Sequence, residues 1–186
     1  MNRKPPPTPG QTVGPFFGYA LPYEGGGELV PAHHPGAVRL SGTVFDGAGT
    51  PIPDALVELW QPDERGEIPR TRGSLTRDGH TFTGFGRSAT TRDGRYSFTT
   101  VEPGVLAGSA SAPFFACLVF ARGLTDKLHS RIYLPGFDEL AAKDPLLSSL
   151  LTEQRATLMA TRQPDGSLHH DFHLQGDEET VFLDFG

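Results

Sequence analysis

Two histidines and an aspartate near the C-terminus have the residue types and spacing of a metal-binding site. His169, Asp171 and His173 occupy alternate positions in the segment Ser167 to Leu174. If that segment is a strand, its alternate side chains point to one face of a sheet. Imidazole and carboxylate groups placed in this way can hold zinc, copper or iron. The simpler interpretation, which we favour from the sequence alone, is a solvated strand face that carries polar residues.

Cys117 and Arg131 are the other side chains with distinctive chemistry. A thiolate can bind a metal, yet Cys117 lies within the apolar run Phe114 to Phe120, which favours a packed and unreactive thiol. Arg131 and Tyr133 alternate in the segment SRIYL, so a strand there turns both side chains to one face. An ion pair with a nearby carboxylate is the simplest role for such an arginine, and recognition of an anionic substrate is the alternative.

Short strands separated by turns must position these side chains. Tyr96, Phe98 and Thr100 alternate with polar residues after the Asp93-Gly94 turn. The uninterrupted apolar run from 114 to 120 is typical of a strand that is covered on both faces. The other predicted strands are Val38–Phe45, Ala55–Gln61, Ser130–Leu134, a hairpin of Thr157–Arg162 with Ser167–Leu174, and Thr180–Phe185. The pattern predicts an all-β fold, an immunoglobulin-like β-sandwich with long loops.

Two segments depart from the strand pattern. Phe137 to Leu151 is the one short helical segment that we predict, because Asp144 can cap a helix that has Pro145 at its first position. Pro62 to Gly86 is long, polar and without periodicity. A loop of that length in a compact domain is usually functional or part of an interface.

The composition is that of one domain preceded by an unusual arm. The chain has 186 residues, and its 23 glycines and 17 prolines favour a turn-rich β domain over a helical one. We predict a single β-sandwich domain over residues 38–186 and an extended N-terminal arm over residues 1–37. Because the arm carries a dense group of aromatic residues from Phe16 to Tyr23, we expect it to pack on the domain or on a partner.

Charge and hydropathy argue against several classes of protein. The formal net charge of −6 disfavours a general nucleic-acid binder. No apolar run reaches membrane-spanning length, and no basic-then-apolar leader is present, so we expect a soluble, cytoplasmic protein. The single cysteine cannot form an internal disulfide.

Four separate pieces of the sequence resemble the intradiol ring-cleavage dioxygenases. They occur in the family's order and cover nearly the whole chain: TPGQTVGPFF, ALVELWQPDERG, GRSATTRDGRYSFTTVEPG and SLHHDFHLQGDEETVFLDF. Enzymes of this family hold a non-haem ferric ion with two tyrosines and two histidines. The catecholate binds the iron, dioxygen attacks, and the ring opens between its two hydroxylated carbons. The resemblance therefore implies an oxidoreductase whose activity depends on an iron site.

The same resemblance implies that the iron ligands are replaced in this chain. In iron-binding members a tyrosine follows the Pro-Gly turn, where this chain has Leu106. A His-x-His pair begins the buried strand of the family, where this chain has Phe114 and Ala116, and the other tyrosine position falls on Ile68. Tyr96 belongs to a scaffold strand and is not a ligand. We therefore expect this chain to bind no iron of its own.

A chain of this kind would act beside a homologous subunit that carries the Fe(III). In the family such a chain pairs with an iron-bearing chain, and both line the active pocket. By match to the family motifs, the substrate-binding residues here are Thr12, Gly14 and Pro15 of the arm, together with Arg131. A guanidinium at that place suits an aromatic substrate with a ring carboxylate. Whether Tyr133 also reaches the pocket is left open.

Two other functions are compatible with the residues. A self-sufficient metalloenzyme would use His169, Asp171 and His173 and would hold its metal as a lone chain. A non-catalytic immunoglobulin-like binding module would be a well-behaved monomer, although the aromatic arm argues against it.

Overall fold

The computed structural model describes residues 12–70 and 77–185, which form two β-sheets packed face to face. The strands are β1 Ala37–Phe45, β2 Leu56–Trp60, β3 Phe85–Ala89, β4 Arg95–Val101, β5 Phe114–Phe120, β6 Leu128–Tyr133, β7 Thr161–Arg162, β8 Leu168–His169 and β9 Phe172–His173. The first sheet has the order β4-β1-β8-β7, with β9 also paired to β1, and the second has the order β3-β2-β5-β6. The predicted all-β sandwich is confirmed.

The core lies between the sheets because the strands alternate in burial. Leu40 and Val44 of β1 are fully buried, and so are Phe115 and Val119 of β5. The intervening residues of β5 are only partly buried, although the apolar run predicted a strand covered on both faces. The outer face of the second sheet is therefore only partly covered within this chain, and it is the face on which a site can form.

The helices are short: α1 Phe17–Ala20, α2 Asp138–Ala141, α3 Pro145–Ser149 and α4 Thr152–Ala156. The prediction of one helical segment over residues 137–151 was wrong in its continuity. Asp144 has extended backbone angles and caps α3, and Pro145 has no N–H with which to continue α2. Leu150 and Leu151 are extended as well, which separates α3 from α4. None of the described helices is long and apolar enough to cross a membrane.

Two strand predictions also need correction. β3 was not predicted, because its sequence FGRSA has neither the alternation nor the β-branched residues that are typical of a strand. The predicted closing strand over residues 180–185 is instead a connection between the sheets. The Thr180 amide donates to the carbonyl of His173 in the first sheet, and the Leu183 amide donates to His129 in the second. A segment that passes from one sheet to the other cannot pair along its length with either.

The second half of the arm is part of the domain. Leu29 and Val30 are buried, and Leu29 packs in the main core. The Leu29 amide donates to the carbonyl of Thr99 over 2.8 Å, and the Thr99 amide donates to the carbonyl of Gly27 over 2.8 Å. This part of the chain is thus held to the outer edge of β4 by backbone hydrogen bonds.

Candidate functional site

A row of side chains crosses the outer face of the second sheet. Trp60 of β2 pairs with Phe85 of β3 and with Ala116 of β5, and Ala116 pairs with Arg131 of β6. Paired residues in an antiparallel sheet point to the same face, so these four side chains lie side by side. Ala116 is the smallest of them, and it leaves space above the sheet beside Trp60.

Trp60 and Ala116 of this row line a cavity of about 260 Å³. The four positions that the resemblance singled out, Ile68, Leu106, Phe114 and Ala116, all line it. They come from the loop after β2, the loop after β4 and the start of β5, so only the fold brings them together. The remaining lining residues are Trp60, Gln61, Pro62, Pro69, Thr83 and Gly84.

The side chains at these four positions do not fit a ferric ion. Iron needs oxygen, nitrogen or sulfur ligands, and the side chains of isoleucine, leucine, phenylalanine and alanine end in carbon. Elsewhere in residues 12–70 and 77–185, no three His, Cys, Asp or Glu side chains are grouped so that they could hold a metal ion. The cavity can pack against an apolar group and exclude water, and the side chains at these four positions offer no atom for coordination.

Cys117 points away from the cavity. It follows Ala116 in β5, so its side chain faces the main core, where it is 1% exposed. Burial raises the pKa of the Cys117 thiol, which keeps it protonated. The thiol is therefore a packed core group, as its apolar neighbours predicted.

Arg131 lies against an aromatic ring on this face. The Cζ atom of Arg131 is 4.1 Å from the centroid of the Phe114 ring, and Nη1 of Arg131 donates a hydrogen bond to Oη of Tyr133 over 3.0 Å. Among the carboxylates that the structure describes, none forms an ion pair with Arg131. Within residues 12–70 and 77–185, the guanidinium is thus held by a ring and a hydroxyl and not by a carboxylate.

A buried aspartate, Asp144, accepts a hydrogen bond from the Tyr133 hydroxyl. Oη of Tyr133 donates to Oδ1 of Asp144 over 3.1 Å, and Asp144 is fully buried. The same carboxylate accepts the backbone N–H groups of Leu146, Leu147 and Ala112 over 2.9–3.1 Å. Burial raises the pKa of Tyr133 to about 12, so its hydroxyl is protonated at neutral pH. The predicted capping role of Asp144 is confirmed, and the bond to Tyr133 is an addition that the sequence did not indicate.

The predicted pocket residues of the arm lie near the turn between β5 and β6. The Val13 amide donates to the carbonyl of Leu124 in this turn over 2.8 Å. The Gly14 amide donates to Oγ1 of Thr12 over 3.2 Å, and Gly14 has a φ of +67° that favours glycine. Pro15 follows and is exposed. These residues form a short, ordered hook at one end of the outer face.

The arm and Arg131 flank the outer face from different ends. The Phe17 ring lies 5.9 Å from the ring of Phe120 at the end of β5, whereas Arg131 pairs with Ala116, about 13 Å away along the strand. Thr12, Gly14 and Pro15 are therefore not brought next to Arg131 within the described chain. Phe16 and Tyr19 beside them are 74% and 84% exposed. The arm thus directs two aromatic side chains away from its own domain.

His169, Asp171 and His173 share a face but do not converge on one point. Nε2 of His169 lies 3.1 Å from Oδ2 of Asp171, whose Oδ1 accepts the Thr43 amide over 2.6 Å. The His173 ring stacks instead on Phe45, with 4.9 Å between the ring centroids. The interpretation of these residues as a polar strand face fits this geometry better than a metal site does.

An ion pair that the sequence did not predict lies on the outer face. Nε of Arg87 lies 2.6 Å from Oε1 of Glu58, and both side chains are largely buried. Nη1 of Arg87 also donates to the carbonyl of Leu21, which holds the arm to β3. The opposite charges of Glu58 and Arg87 in two paired strands would have indicated this ion pair. The pairing could not be predicted because β3 itself was not predicted. Trp60, half exposed, packs on Phe85 at the same edge.

Comparison with known proteins identifies the family. A family model described as Dioxygenase matches residues 14–176. The chain is 38% identical to the protocatechuate 3,4-dioxygenase alpha chain of Burkholderia cepacia, over 95% of this chain and 96% of the relative. It is 37% identical to the alpha chain from Pseudomonas putida, over 97% of each. It is also 29% identical to the B. cepacia beta chain, over 78% of this chain and 63% of that one.

Solved structures agree with the fold. An intradiol ring-cleavage dioxygenase from Tetranychus urticae has a TM-score of 0.57 at 16% identity, covering 86% of this chain and 87% of that one. At 16% identity, this similarity shows only that the two proteins share a fold. Membership of the family rests on the family model and on the two alpha chains. The chain therefore belongs to the intradiol ring-cleavage dioxygenase family, and along nearly its whole length it is similar to the alpha chains of protocatechuate 3,4-dioxygenase.

Proposed function

We propose that this chain is the alpha, non-iron-binding subunit of a protocatechuate 3,4-dioxygenase. That enzyme converts protocatechuate (3,4-dihydroxybenzoate) and O2 to 3-carboxy-cis,cis-muconate in the degradation of aromatic compounds. The observation that carries the proposal is the meeting of Ile68, Leu106, Phe114 and Ala116 in one largely apolar cavity. In a chain similar to alpha chains along nearly its whole length, such a cavity suits a subunit whose partner binds the metal.

In this proposal the ferric ion belongs to a homologous beta chain. The similarity to a beta chain supports a partner with the same sandwich fold. The iron supplies the chemistry that activates the catecholate and dioxygen. This chain contributes a wall to the shared pocket, which orients the substrate and keeps water out.

Arg131 is the residue of this chain that we place against the substrate. One of its N–H groups is used by Tyr133, and a guanidinium has five, so others remain for a carboxylate. Thr12 can add a hydroxyl, and Gly14 and Pro15 can shape the wall with their backbone. The arm and Arg131 flank one face of the sandwich, so a partner seated on that face could meet both.

A cytoplasmic location is part of the same proposal. A single cysteine, buried and protonated, is compatible with a reducing compartment.

Co-expression with a candidate beta chain tests the proposal. The pair should contain iron, show the red-brown colour of ferric tyrosinate and consume oxygen when 3,4-dihydroxybenzoate is added. The lone chain should be colourless and inactive. If the lone chain contains metal and consumes oxygen, the proposal that only the beta chain binds iron is contradicted. A stable monomer that binds none of the beta chains tested would favour the binding-module alternative.

Arg131→Ala tests the pocket residue within the same complex. We expect a raised KM for 3,4-dihydroxybenzoate, on the order of tenfold, because a charged hydrogen bond is lost. The iron content should not change, since Arg131 binds no metal. Unchanged steady-state kinetics would exclude Arg131 from the substrate pocket.

A further inference from the structure

We infer that Phe114, Tyr133 and Asp144 are positioning residues that hold the Arg131 guanidinium in one orientation for an anionic substrate group. The inference deepens the proposed function and rests on it, because it concerns how Arg131 presents its charge. It also gives Phe114 a role of its own, at a position where the resemblance implied only a lost ligand.

The first step is the direction of the hydrogen bonds. Both oxygens of Asp144 accept backbone N–H groups, and Tyr133 donates its single hydroxyl proton to Oδ1 of Asp144. The lone pairs of the Tyr133 oxygen then remain for the N–H at Nη1 of Arg131. Arginine can only donate, so the direction of each hydrogen bond in the series Asp144–Tyr133–Arg131 is fixed. Reversing any bond would leave a buried group unpaired.

Asp144 and Tyr133, which hold Arg131 from the protein interior, are rigidly placed. Asp144 and Tyr133 are both fully buried, so neither can exchange its partner for water. Asp144 is held by backbone amides from two segments, the start of α3 and the residue Ala112 before β5. The ring of Tyr133 packs with Leu147 and Leu158 in a small apolar cluster. The hydroxyl that meets Arg131 therefore stands at a defined point.

The third step is the aromatic platform. The guanidinium lies over the face of Phe114, and the Phe114 and Tyr133 rings are themselves in contact, with centroids 5.4 Å apart. Stacking and the Nη1 bond together constrain both the tilt and the rotation of the guanidinium plane. An aliphatic residue at 114 would keep the packing but lose the platform.

The test uses the complex of this chain with its iron-bearing partner and two catechols, 3,4-dihydroxybenzoate and the uncharged 4-methylcatechol. Tyr133→Phe removes the hydroxyl and keeps the ring, and Phe114→Leu removes the aromatic ring and keeps an apolar side chain. We expect each to raise KM for the carboxylated substrate, about tenfold and about threefold respectively, with kcat nearly unchanged. KM for 4-methylcatechol should stay within twofold of wild type, because that substrate has no carboxylate for Arg131 to bind.

A double-mutant cycle separates positioning from general structure. If Tyr133 acts through Arg131, Tyr133→Phe should have no further effect in an Arg131→Ala background. Tyr23→Phe is the matched control, because the Tyr23 hydroxyl also accepts from an arginine, Arg77, over 2.9 Å, and its loss should leave both KM values unchanged.

The outcomes distinguish the inference from the function beneath it. If Arg131→Ala raises KM for the carboxylated substrate but Tyr133→Phe and Phe114→Leu do not, the positioning inference is overturned and the pocket role of Arg131 stands. Equal losses on both catechols would also overturn the inference, because they indicate a structural effect. If Arg131→Ala itself changes nothing, the pocket role proposed for Arg131 fails first.

Discussion

Ala116 contributes to the site mainly by being small. It stands between Trp60 and Arg131 in the row across the outer face, and a longer side chain there would project into the cavity. Phe114, two residues earlier on the same face, both lines that cavity and carries Arg131. These two residues of β5 thus contribute to the shape of the cavity, and Phe114 also positions the guanidinium.

Asp144 should be worth more to stability than an ordinary helix cap. Asp144→Ala leaves Tyr133 and three backbone amides without their buried acceptor, so we expect a loss of about 2–4 kcal/mol in the free energy of unfolding. Urea denaturation measures it. The control is Asp138→Ala, an exposed aspartate in the first turn of α2, which should cost under about 1 kcal/mol. Similar losses in the two variants would contradict this account of Asp144.

His170 should make the fold sensitive to mild acid. It is 4% exposed, its Nε2 is bonded to the carbonyl of Thr157, and burial lowers its pKa to about 4. An unfolded chain takes up that proton near pH 6.5, so the unfolding free energy should fall as the pH drops from about 6.5 towards 4, by about 1.4 kcal/mol per pH unit.

Urea titrations at several pH values check the role of His170. His170→Gln should flatten the dependence below pH 6.5, since glutamine can still donate to the Thr157 carbonyl but has no proton to gain. His33→Gln, at an exposed histidine, should retain the wild-type slope. A wild-type slope in His170→Gln would assign the acid sensitivity to other groups.

At the scale of elements, β1 organises the first sheet. It pairs antiparallel with β4 on one side and parallel with β8 and β9 on the other. The polypeptide between β8 and β9 passes so close to Gly42 that a β-carbon there would overlap with the carbonyl oxygen of His170. That carbonyl also accepts the Tyr96 hydroxyl over 2.7 Å, so it cannot move aside freely.

Gly42→Ala should therefore separate β1 from the chain that follows β8. We expect a loss of about 1–3 kcal/mol in the free energy of unfolding, because backbone must shift to admit the methyl group. Gly18→Ala in α1 is the matched control: a β-carbon there meets nothing within 4 Å, and alanine favours a helix over glycine by about 1 kcal/mol. Chemical denaturation measures the free energy of unfolding of both variants. If Gly42→Ala is as stable as the wild type, the sheet is less tightly packed here than its contacts indicate.

At the scale of the whole molecule, the outer face presents more apolar surface than a lone sandwich needs. Phe16, Tyr19, Trp60 and Ile68 are large and between 49% and 84% exposed. The first two belong to the arm, and the last two line the cavity. This distribution fits the proposed function, in which a beta chain covers that side of the sandwich.

The arm should be needed for assembly. In the co-expressed pair, we expect Phe16→Ser with Tyr19→Ser to reduce the amount of beta chain that co-purifies, because two aromatic contacts are removed. Phe16→Leu with Tyr19→Phe should retain assembly, and Leu151→Ser controls for the loss of an equally exposed apolar side chain elsewhere. Light scattering reports the mass of each complex. Full assembly of the serine variant would place the interface away from the arm.

Local patterns in the sequence determined much of this protein. The apolar run predicted β5 with its observed ends, and the Asp144-Pro145 pair predicted the start of α3, because strand formation and helix capping depend on neighbouring residues. Motifs spread along the chain indicated the family. The same local reasoning failed for β3 and for the segment 180–185, where pairing depends on strands distant in sequence.

Only the tertiary structure decided what the candidate site is made of. Ile68, Leu106 and Phe114 meet because the order and register of the second sheet bring two loops and a strand to one face. Tyr133 bonds to Asp144 because α3 packs beside β6, and that bond in turn sets the place of Arg131. Such contacts join residues that are far apart or on different elements, so their geometry follows from packing, which periodicity and spacing along the chain do not encode.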